Sequence, residues 1–313
     1  ITVDLSRDYV RAHATELGMG FPRFTDDEGG ADFTDAAGHP IMVDKWGLIQ
    51  RPFSGRGEGV VGELLDVTEQ VIEVLARDCG VHAWLAFGSL LGAVRAGKAI
   101  GHDSDVDLAY QSDQPSPAAM TLEMYELSRA LRRAGFNVLN KSGAFITVVF
   151  AGSDGAQSSI DLYTCFHLGD TLYETATVRE PVPRSAVLPL GTVEFEGRRL
   201  PAPADPERLL EASYGPDWRI PNPTFSYRPD PELKARFDPW FGNLMRQRRA
   251  WEGTFRRQQG WRPSPFARSV RRALDPDVVV VDVGCGRGAD ALFFARGGRR
   301  SIGLDYARPG LRL

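Results

Sequence analysis

The sequence predicts an α/β or α+β fold in which helices flank a mixed sheet. Apolar residues recur at helical spacing over residues 62–79, and Gly80 stands where a helix would end. The apolar run 81–87 follows and is typical of a buried strand. Helical and strand patterns continue to alternate further along the chain. This order of elements is that of a layered protein containing both helices and strands.

The remaining elements follow in chain order. A Gly88-Ser89 turn leads into a short helix that we expect to begin at Ser89. Asp205 is placed to cap another helix, Pro206 stands at its first position and Gly215 closes it. The predicted ranges are a strand at 106–110, a helix at 117–135, strands at 136–139, 144–151 and 159–166, and a helix at 205–214.

Length and composition restrict the class of protein. A chain of 313 residues predicts two or three compact units, and a formal charge of -4 argues against wholesale polyanion binding, so no nucleic-acid partner is expected. The three cysteines are too scattered for a disulfide framework or a CxxC metal site, which favours a reducing cytoplasm. No apolar run approaches the roughly 20 residues that span a bilayer, and no signal peptide is evident. The first residue is Ile1, so the native start is expected to lie upstream.

Three aspartates have the spacing of a metal site. Asp105 and Asp107 lie at i and i+2 on a predicted strand, so their side chains point to the same face. Asp161 lies within an apolar run on a later strand, where a buried charge needs a partner. Carboxylate oxygens are the ligands that Mg²⁺ prefers, and phosphoryl transfer needs a divalent cation beside the phosphates. We therefore interpret Asp105, Asp107 and Asp161 as metal ligands and catalytic residues.

The Gly88-Ser89 turn supplies candidate phosphate ligands. Glycine lets the backbone approach a phosphate, and Ser89 at a helix start offers a hydroxyl and free N–H groups. Arg95 lies one to two helical turns further on and can add a fork of donors. Each feature alone is more often an ordinary loop, an ion-pair partner or a solvated edge. Their combination in this order is what predicts a site.

Two stretches extend the pattern around these residues: Ala86-Phe-Gly-Ser-Leu-Leu-Gly-Ala-Val-Arg95 and Ile100-Gly-His-Asp-Ser-Asp-Val-Asp-Leu108. The combined pattern resembles the nucleotidyltransferase superfamily, and within it the LicD family, which includes the fukutin-type transferases. The stretch from Leu200 to Trp218 resembles the closing part of the family pattern, so the similarity covers about residues 62–222. Departures from the family pattern are Gly101, His102 and Ser104, in place of the usual Pro, Trp and middle Asp. Asp103 is retained, with no role assigned.

The resemblance implies a nucleotidyltransferase-like mixed sheet and a metal-dependent enzyme. Such an enzyme uses Mg²⁺ or Mn²⁺ and transfers a phospho-alcohol, phosphocholine-like or polyol-phosphate-like, from a CDP-activated donor to a hydroxyl of a cell-surface glycan or lipid-linked glycan, releasing CMP. Gly88, Ser89 and Arg95 would contact the nucleotide or its phosphates, and Asp161 would be either the base or a third metal ligand. Two alternatives stay open: transfer of a nucleotidyl group to a small-molecule acceptor, and a non-catalytic scaffold.

A second motif lies near the C-terminus. The apolar residues 278–283 predict a buried strand ending in a glycine loop, then a helix over 289–296 and a strand over 301–304. This is the first βαβ step of a Rossmann-like domain. A dinucleotide-binding site is one interpretation of this pattern. The pattern looks more like that of S-adenosylmethionine-dependent methyltransferases. The candidate ligand-binding residues are Asp282, Gly284, Gly286, Gly288 and Asp305.

The chain ends at Leu313, before the further strands of such a domain, so we expect a fragment of a longer bifunctional protein. S-adenosylmethionine is then expected to bind only a longer chain. A structural αβ extension without ligand is the alternative. The predicted organisation is an N-terminal extension at 1–60 with no assigned chemistry, a transferase domain at 61–225, a helical basic linker at 226–274 and the methyltransferase-like piece at 275–313.

The linker contains the most basic segment of the chain. Residues 246–272 include nine arginines and one acidic residue, Glu252, interleaved with aromatic residues. Such a run is usually a solvated helix face joining two domains. The alternative is contact with an anionic membrane surface or a polyanionic acceptor, which would place the cytoplasmic protein at the inner face of the membrane.

Overall fold

The chain forms two units, residues 1–242 and residues 243–313, which are described separately. The computed structural model describes residues 23–24, 31–34, 38–43, 49–56, 58–174, 178–222, 225, 230–242, 244–258, 260 and 262–311. Part of the N-terminal extension and part of the basic segment therefore lie outside the described residues.

Helices and strands alternate along the chain as the sequence predicts, and the mixed α/β fold is confirmed. The helices are α1 Glu58–Cys79, α2 Phe87–Ala96, α3 Pro117–Arg133, α4 Arg184–Val187, α5 Pro206–Tyr214, α6 Pro231–Phe241, α7 Leu244–Arg257, α8 Pro265–Val270 and α9 Ala289–Arg296, with 3-10 turns at Phe53–Gly55 and Arg308–Leu311. The strands are β1 Arg23–Phe24, β2 Ala31–Thr34, β3 Pro40–Val43, β4 Ile49–Gln50, β5 Ala83–Leu85, β6 Asp105–Gln111, β7 Asn137–Ser142, β8 Phe145–Ala151, β9 Gln157–Leu168, β10 Thr171–Glu174, β11 Val178–Glu180, β12 Gly191–Phe195, β13 Arg198–Ala202, β14 Val280–Val283 and β15 Ser301–Leu304.

A seven-stranded sheet organises the first unit. The long strand β9 lies at its centre and pairs in parallel with β6 along one edge. Its other edge pairs first with β8 and then with β10, both antiparallel. The outer strands β5, β7 and β11 complete the sheet, while β1 to β4 form a separate antiparallel sheet. The mixture of one parallel and several antiparallel pairs confirms the predicted mixed sheet.

One face of the central sheet is buried under helices. Alternate residues of β6 and β9, including Val106, Leu108, Ile160 and Leu162, are at most 1% exposed and belong to the main hydrophobic core. Helices α1 and α3 pack against each other and contribute apolar residues to the same core. Because successive side chains of a strand alternate between faces, the residues between these apolar positions point to the opposite face. That second face carries the predicted carboxylates.

Two elements pack against α2, whose first turn contains Gly88 and Ser89. The β12–β13 hairpin and helix α5 both pack against it. At the hairpin turn, the Glu196 N–H donates to the carbonyl of Gly97, and the Glu196 carboxylate accepts from the Ala99 N–H at 2.7 Å. Trp218, in the stretch that resembles the end of the family pattern, is 5% exposed in the same core.

The structure corrects several predicted boundaries. Helix α2 begins at Phe87, not at Ser89, so β5 is shorter than the predicted strand 81–87. Strands β10 to β13 were not predicted, because they are short and lie among polar residues and turns. The helix predicted at 205–214 is confirmed as α5, and the Asp205 side chain caps it by accepting from the Arg208 N–H.

In the second unit, β14 and β15 pair in parallel and α9 connects them, which is a βαβ unit. The prediction of a fully buried strand at 278–283 is wrong. Every second residue of the two strands faces solvent, and Val281 and Val283 are 51% and 80% exposed. The helix covers only one face of this small sheet, so the other face stays exposed. The Rossmann-like assignment of this unit stays a prediction.

None of the helices among the described residues is both long enough and apolar enough to cross a membrane.

Candidate active site

The register of two neighbouring strands brings three carboxylates together. Asp107 on β6 lies directly opposite Asp161 on β9, and Asp105 lies two residues earlier on the same strand face. Carboxylate oxygens of Asp105, Asp107 and Asp161 all lie within 4.8 Å of one another. The structure therefore assembles the three residues that the sequence pattern singled out.

The first turn of α2 holds Asp107 in place. The N–H of Gly88 donates to Asp107 Oδ2 at 3.1 Å, and the backbone N–H of Asp107 donates to Ser89 Oγ at 2.9 Å. The Ala86 N–H also donates to the Asp107 carbonyl at 2.9 Å. The backbone turns sharply here, since Phe87 has a φ of 41°, a value that L residues rarely adopt. Side-chain and main-chain contacts thus fix both the strand and the carboxylate.

Gly88 is needed because two carboxylates crowd its α-carbon. A Cβ atom at this position would lie 2.4 Å from Asp103 Oδ2 and 3.3 Å from Asp107 Oδ2. The first distance is well inside van der Waals contact, so a larger residue here would force the Asp103 side chain to move and would crowd Asp107. The glycine therefore lets both carboxylates lie close to the backbone at the start of α2.

The candidate phosphate ligands occupy different environments. Ser89 is 3% exposed, and its hydroxyl oxygen is already engaged with Asp107. Arg95 is exposed and lies in the last turn of α2, about 10 Å along the helix axis from Gly88. Gly88 and Ser89 thus have a structural role, since both hold Asp107. That Gly88, Ser89 and Arg95 contact a nucleotide or phosphate stays a prediction.

Four further residues around the cluster have no role in the sequence-based prediction. Asp103 reaches Gly88 and raises the pKa of Asp105 through its charge. The Tyr163 hydroxyl donates to Asp161 Oδ2 at 3.2 Å, and its ring stacks on Phe145 with centroids 4.5 Å apart. Tyr163 lies two residues after Asp161 on the same strand, so strand alternation alone could have found it.

The other two, Thr147 and Lys141, depend on strand pairing. Thr147 on β8 lies directly opposite Asp161. Lys141 is the extra residue of a β-bulge on β7, between the pairs Asn140–Ile146 and Ser142–Phe145. Bulges redirect side chains and often lie beside active sites. No local sequence signal marks either residue, because both reach the site only through the register of the β7–β8 hairpin.

Burial and mutual repulsion disfavour the state in which all three carboxylates are charged and no cation is bound to them. Burial raises the pKa of Asp105 well above its usual range, and the charges of Asp107, Asp103 and Asp161 raise it further. Burial also raises the pKa of Asp161 to about 6, against the opposing influence of Thr147, Tyr163 and Lys141. Three hard oxygen donors at this spacing are the set that suits Mg²⁺ or Mn²⁺. The donor set therefore fits the divalent cation that the resemblance implies.

The segment that contains the three aspartates also matches a known protein family. Residues 80–205 match the family described as LicD/FKTN/FKRP, nucleotidyltransferase domain. The match contains α2, β5 to β13 and all three clustered aspartates. It confirms the resemblance for this segment, which is shorter than the predicted range 62–222.

Among characterised proteins, the chain is similar to the ribitol-5-phosphate transferase FKTN of Mus musculus. The two are 25% identical over 176 residues, which is 54% of this chain and 35% of the mouse protein. The matched segment thus spans about a third of the length of that relative.

The candidate S-adenosylmethionine residues make internal contacts in the second unit. Asp305 Oδ2 accepts from the Gly286 N–H at 2.8 Å, and Oδ1 accepts from the Ala307 N–H at 2.7 Å. The Phe255 ring lies against Gly286, where a Cβ would be 3.0 Å away. Asp282 pairs with Gly303 across the two strands, and Gly284 and Gly288 adopt positive φ in the loop. Binding of S-adenosylmethionine at these residues stays a prediction, since no comparison bears on it.

Proposed function

We propose that this protein transfers a phospho-alcohol group, of the phosphocholine or polyol-phosphate type, from a CDP-activated donor to a hydroxyl of a cell-surface glycan. CMP is the second product. The observation that carries the proposal is the convergence of Asp105, Asp107 and Asp161 on one sheet face within 4.8 Å. The family match and the ribitol-5-phosphate transferase relative support a phosphotransferase.

A divalent cation, Mg²⁺ or Mn²⁺, would be held by Asp105, Asp107 and Asp161, and when bound it would supply neutralisation of the phosphate charge. The protein's own contribution is to fix these ligands. Gly88 and Ser89 hold Asp107 from the turn, and Tyr163 holds one oxygen of Asp161. Preorganised ligands of this kind lose little conformational freedom when the donor binds.

The reaction forms one bond and breaks one. The acceptor hydroxyl oxygen bonds to the donor phosphorus that carries the alcohol, and the bond from that phosphorus to the bridging oxygen of CMP breaks. The hydroxyl proton passes to a carboxylate of the cluster and then to solvent, while CMP leaves with the bridging oxygen. Asp161 serves as that base or as the third cation ligand. Lys141, whose positive charge lowers the pKa of Asp161, would offset negative charge on the donor phosphates.

Replacement of Asp105 or Asp107 by alanine tests the proposal. Each variant should lower Mg²⁺-dependent CMP release from a panel of CDP-alcohols, assayed with glycan acceptors, by at least about 1,000-fold, because a cation-binding carboxylate stabilises transition-state charge by several kcal/mol. In thermal unfolding, Mg²⁺ or Mn²⁺ with a cytidine nucleotide should stabilise the wild type and leave both variants unshifted.

Asp170→Ala is the matched control, since Asp170 is an exposed turn residue outside the cluster. It should behave as the wild type in both assays. Equal thermal shifts in the wild type and in Asp105→Ala would contradict the proposal. Release of pyrophosphate from a nucleoside triphosphate, in place of CMP from a CDP-alcohol, would favour the nucleotidyltransferase alternative. Absence of both activities in the wild type would favour a non-catalytic scaffold for a methyltransferase.

Lys141→Gln separates binding of the donor from chemistry. Loss of one charged contact to a phosphate should raise the KM for the CDP-alcohol about tenfold with a smaller change in kcat. Arg129→Gln, at an exposed position of α3, is the control and should leave both constants unchanged. If Lys141→Gln leaves the KM unchanged, the donor phosphates do not lie beside the β7–β8 hairpin.

A further inference from the structure

A cluster of arginines in the second unit lies outside the transferase site. Arg268 lies in α8, and Arg271 and Arg272 continue its helical turn, since the Arg271 N–H donates to the Ala267 carbonyl at 3.0 Å. Residues at i, i+3 and i+4 share one side of a helix. The sequence therefore places three guanidinium groups side by side.

These side chains line a cavity of about 490 Å³. Its lining consists of Arg268, Arg271, Arg272, Phe293 and Arg299. No acidic side chain belongs to this lining. Four positive charges around one concave surface, with no acidic side chain in its lining, favour the binding of an anion.

Two of the arginines are held in position by their surroundings. The Arg271 guanidinium lies 4.9 Å from the centre of the Phe293 ring, and it passes over Gly297, where a Cβ atom would be 2.7 Å away. Arg299 donates to the carbonyl oxygens of Leu274 at 2.7 Å and of Arg271 at 3.3 Å. Neither arginine is neutralised, because an aromatic ring and carbonyl groups carry no net charge. Their placement shapes the cavity while their charges stay available.

The other two arginines are exposed. Within the part of the second unit that the structure describes, neither Arg268 nor Arg272 forms an ion pair, whereas Arg248 and Arg256 of α7 both pair with Glu252. Like charges at i and i+4 of a helix repel each other and destabilise it slightly. A bound anion would remove this repulsion, and the planar guanidinium fork matches the oxygens of a phosphate.

We propose that this cavity is a binding site for a phosphate-bearing ligand with at least two negative charges. Arg268 and Arg272 close on the phosphate from the solvent side, and Arg271 presents its donors from the face of Phe293. The cavity is distinct from the candidate S-adenosylmethionine residues. Gly284 to Gly288 follow the carboxyl end of β14, whereas Arg299 precedes the amino end of β15, so in a parallel pair the two sites lie at opposite ends. The proposal does not depend on the transferase reaction.

Titration calorimetry of the whole chain with sodium pyrophosphate tests the proposal. EDTA is included so that no divalent cation can link the probe to Asp105, Asp107 and Asp161. The wild type should bind pyrophosphate, and Arg268→Gln and Arg272→Gln should each weaken binding about tenfold, as expected for one charge-assisted contact. Among the described residues neither side chain forms a hydrogen bond or an ion pair, and unchanged circular dichroism should confirm that the variants fold. Arg262→Gln, an exposed arginine of the same segment outside the cavity lining, should bind as the wild type does.

Vesicles identify the source of the phosphate. Retention on phosphatidic acid vesicles, competed by pyrophosphate and lost in Arg272→Gln, would support the proposal with a lipid headgroup as ligand. Pyrophosphate binding without retention would support it with a soluble phosphate ester. Absence of pyrophosphate binding by the wild type, or equal weakening by Arg262→Gln, would overturn the proposal.

Discussion

At the scale of single residues, Gly88 has the most demanding environment in the site. A Cβ here would lie 2.4 Å from Asp103 Oδ2 and 3.3 Å from Asp107 Oδ2, and the N–H of the same residue donates to Asp107. The glycine therefore permits close approach and also supplies a hydrogen bond. The hydrogen bond comes from the backbone N–H, whereas the close approach of the carboxylates depends on the absence of a side chain.

Gly88→Ala should disable the cluster and leave the fold intact. The added methyl group must push Asp103 away and disturb Asp107. The rate of CMP release and the apparent affinity for Mg²⁺, measured from the thermal shift, should therefore each fall by at least about tenfold. Circular dichroism should match that of the wild type.

Gly62→Ala is the control for this change. Gly62 lies in α1, and a Cβ there would meet nothing within 4 Å. Alanine should stabilise the helix by about 0.5–1 kcal/mol and leave the cation response unaltered. A Gly88→Ala protein that keeps its full response to Mg²⁺ would show that Asp103 can move without consequence.

At the scale of elements, strand β10, which lies between β9 and the outer strand β11, buries an acid that the proposed reaction does not use. Glu174 is 2% exposed, and burial raises its pKa from 4.5 to about 8, with a hydrogen bond from Ser213 of α5 acting in the opposite direction. The folded protein keeps a proton on Glu174 over a pH range in which the unfolded chain loses it. The free energy of unfolding should therefore fall as pH rises from about 4.5 to 8, and this group should add no further pH dependence above that range.

Glu174→Gln should remove that fall, because an amide of the same shape stays neutral at every pH. At pH 8 the variant should be more stable than the wild type by on the order of a few kcal/mol, and near pH 4.5 the difference should largely vanish. Urea unfolding at the two pH values measures both differences. Glu180→Gln on β11, where the side chain is exposed, should follow the wild type. Parallel pH dependence of Glu174→Gln and the wild type would contradict the assignment.

The candidate active site shows which of its residues and strand pairings can be predicted from sequence and which cannot. Asp105, Asp107 and Asp161 could be grouped because strand alternation assigns each side chain to a face, and an aspartate between apolar neighbours stands out. The β7–β8 bulge that delivers Lys141 could not be predicted, because pairing register depends on contacts between distant segments. The β12–β13 hairpin was missed for a different reason: its strands are short, and its contribution is made through contacts with α2 that leave no local pattern.

At the scale of the whole molecule, the formal charge of -4 is the sum of two charges of opposite sign. Residues 243–313 contain 15 arginines and six acidic residues, a charge of +9, whereas residues 1–242 contain 22 basic and 35 acidic residues, a charge of -13. The net charge argued against wholesale polyanion binding and left a local basic patch open. Within the second unit, residues 246–272 carry +8 of this charge, with nine arginines and one acidic residue, and they supply three of the four arginines that line the cavity.

The parallel pairing of β6 with β9 also bears on how the chain reaches its native state. If either strand slipped by one residue, its side chains would exchange faces, and its aspartates would enter the layer beneath α1 and α3. A bare carboxylate in that apolar layer costs far more than a lost contact. Misaligned sheets are thus penalised during folding by the same residues that form the acidic cluster. Removing the aspartates to abolish activity would also remove that penalty, so inactive variants should be checked for alternative strand alignments.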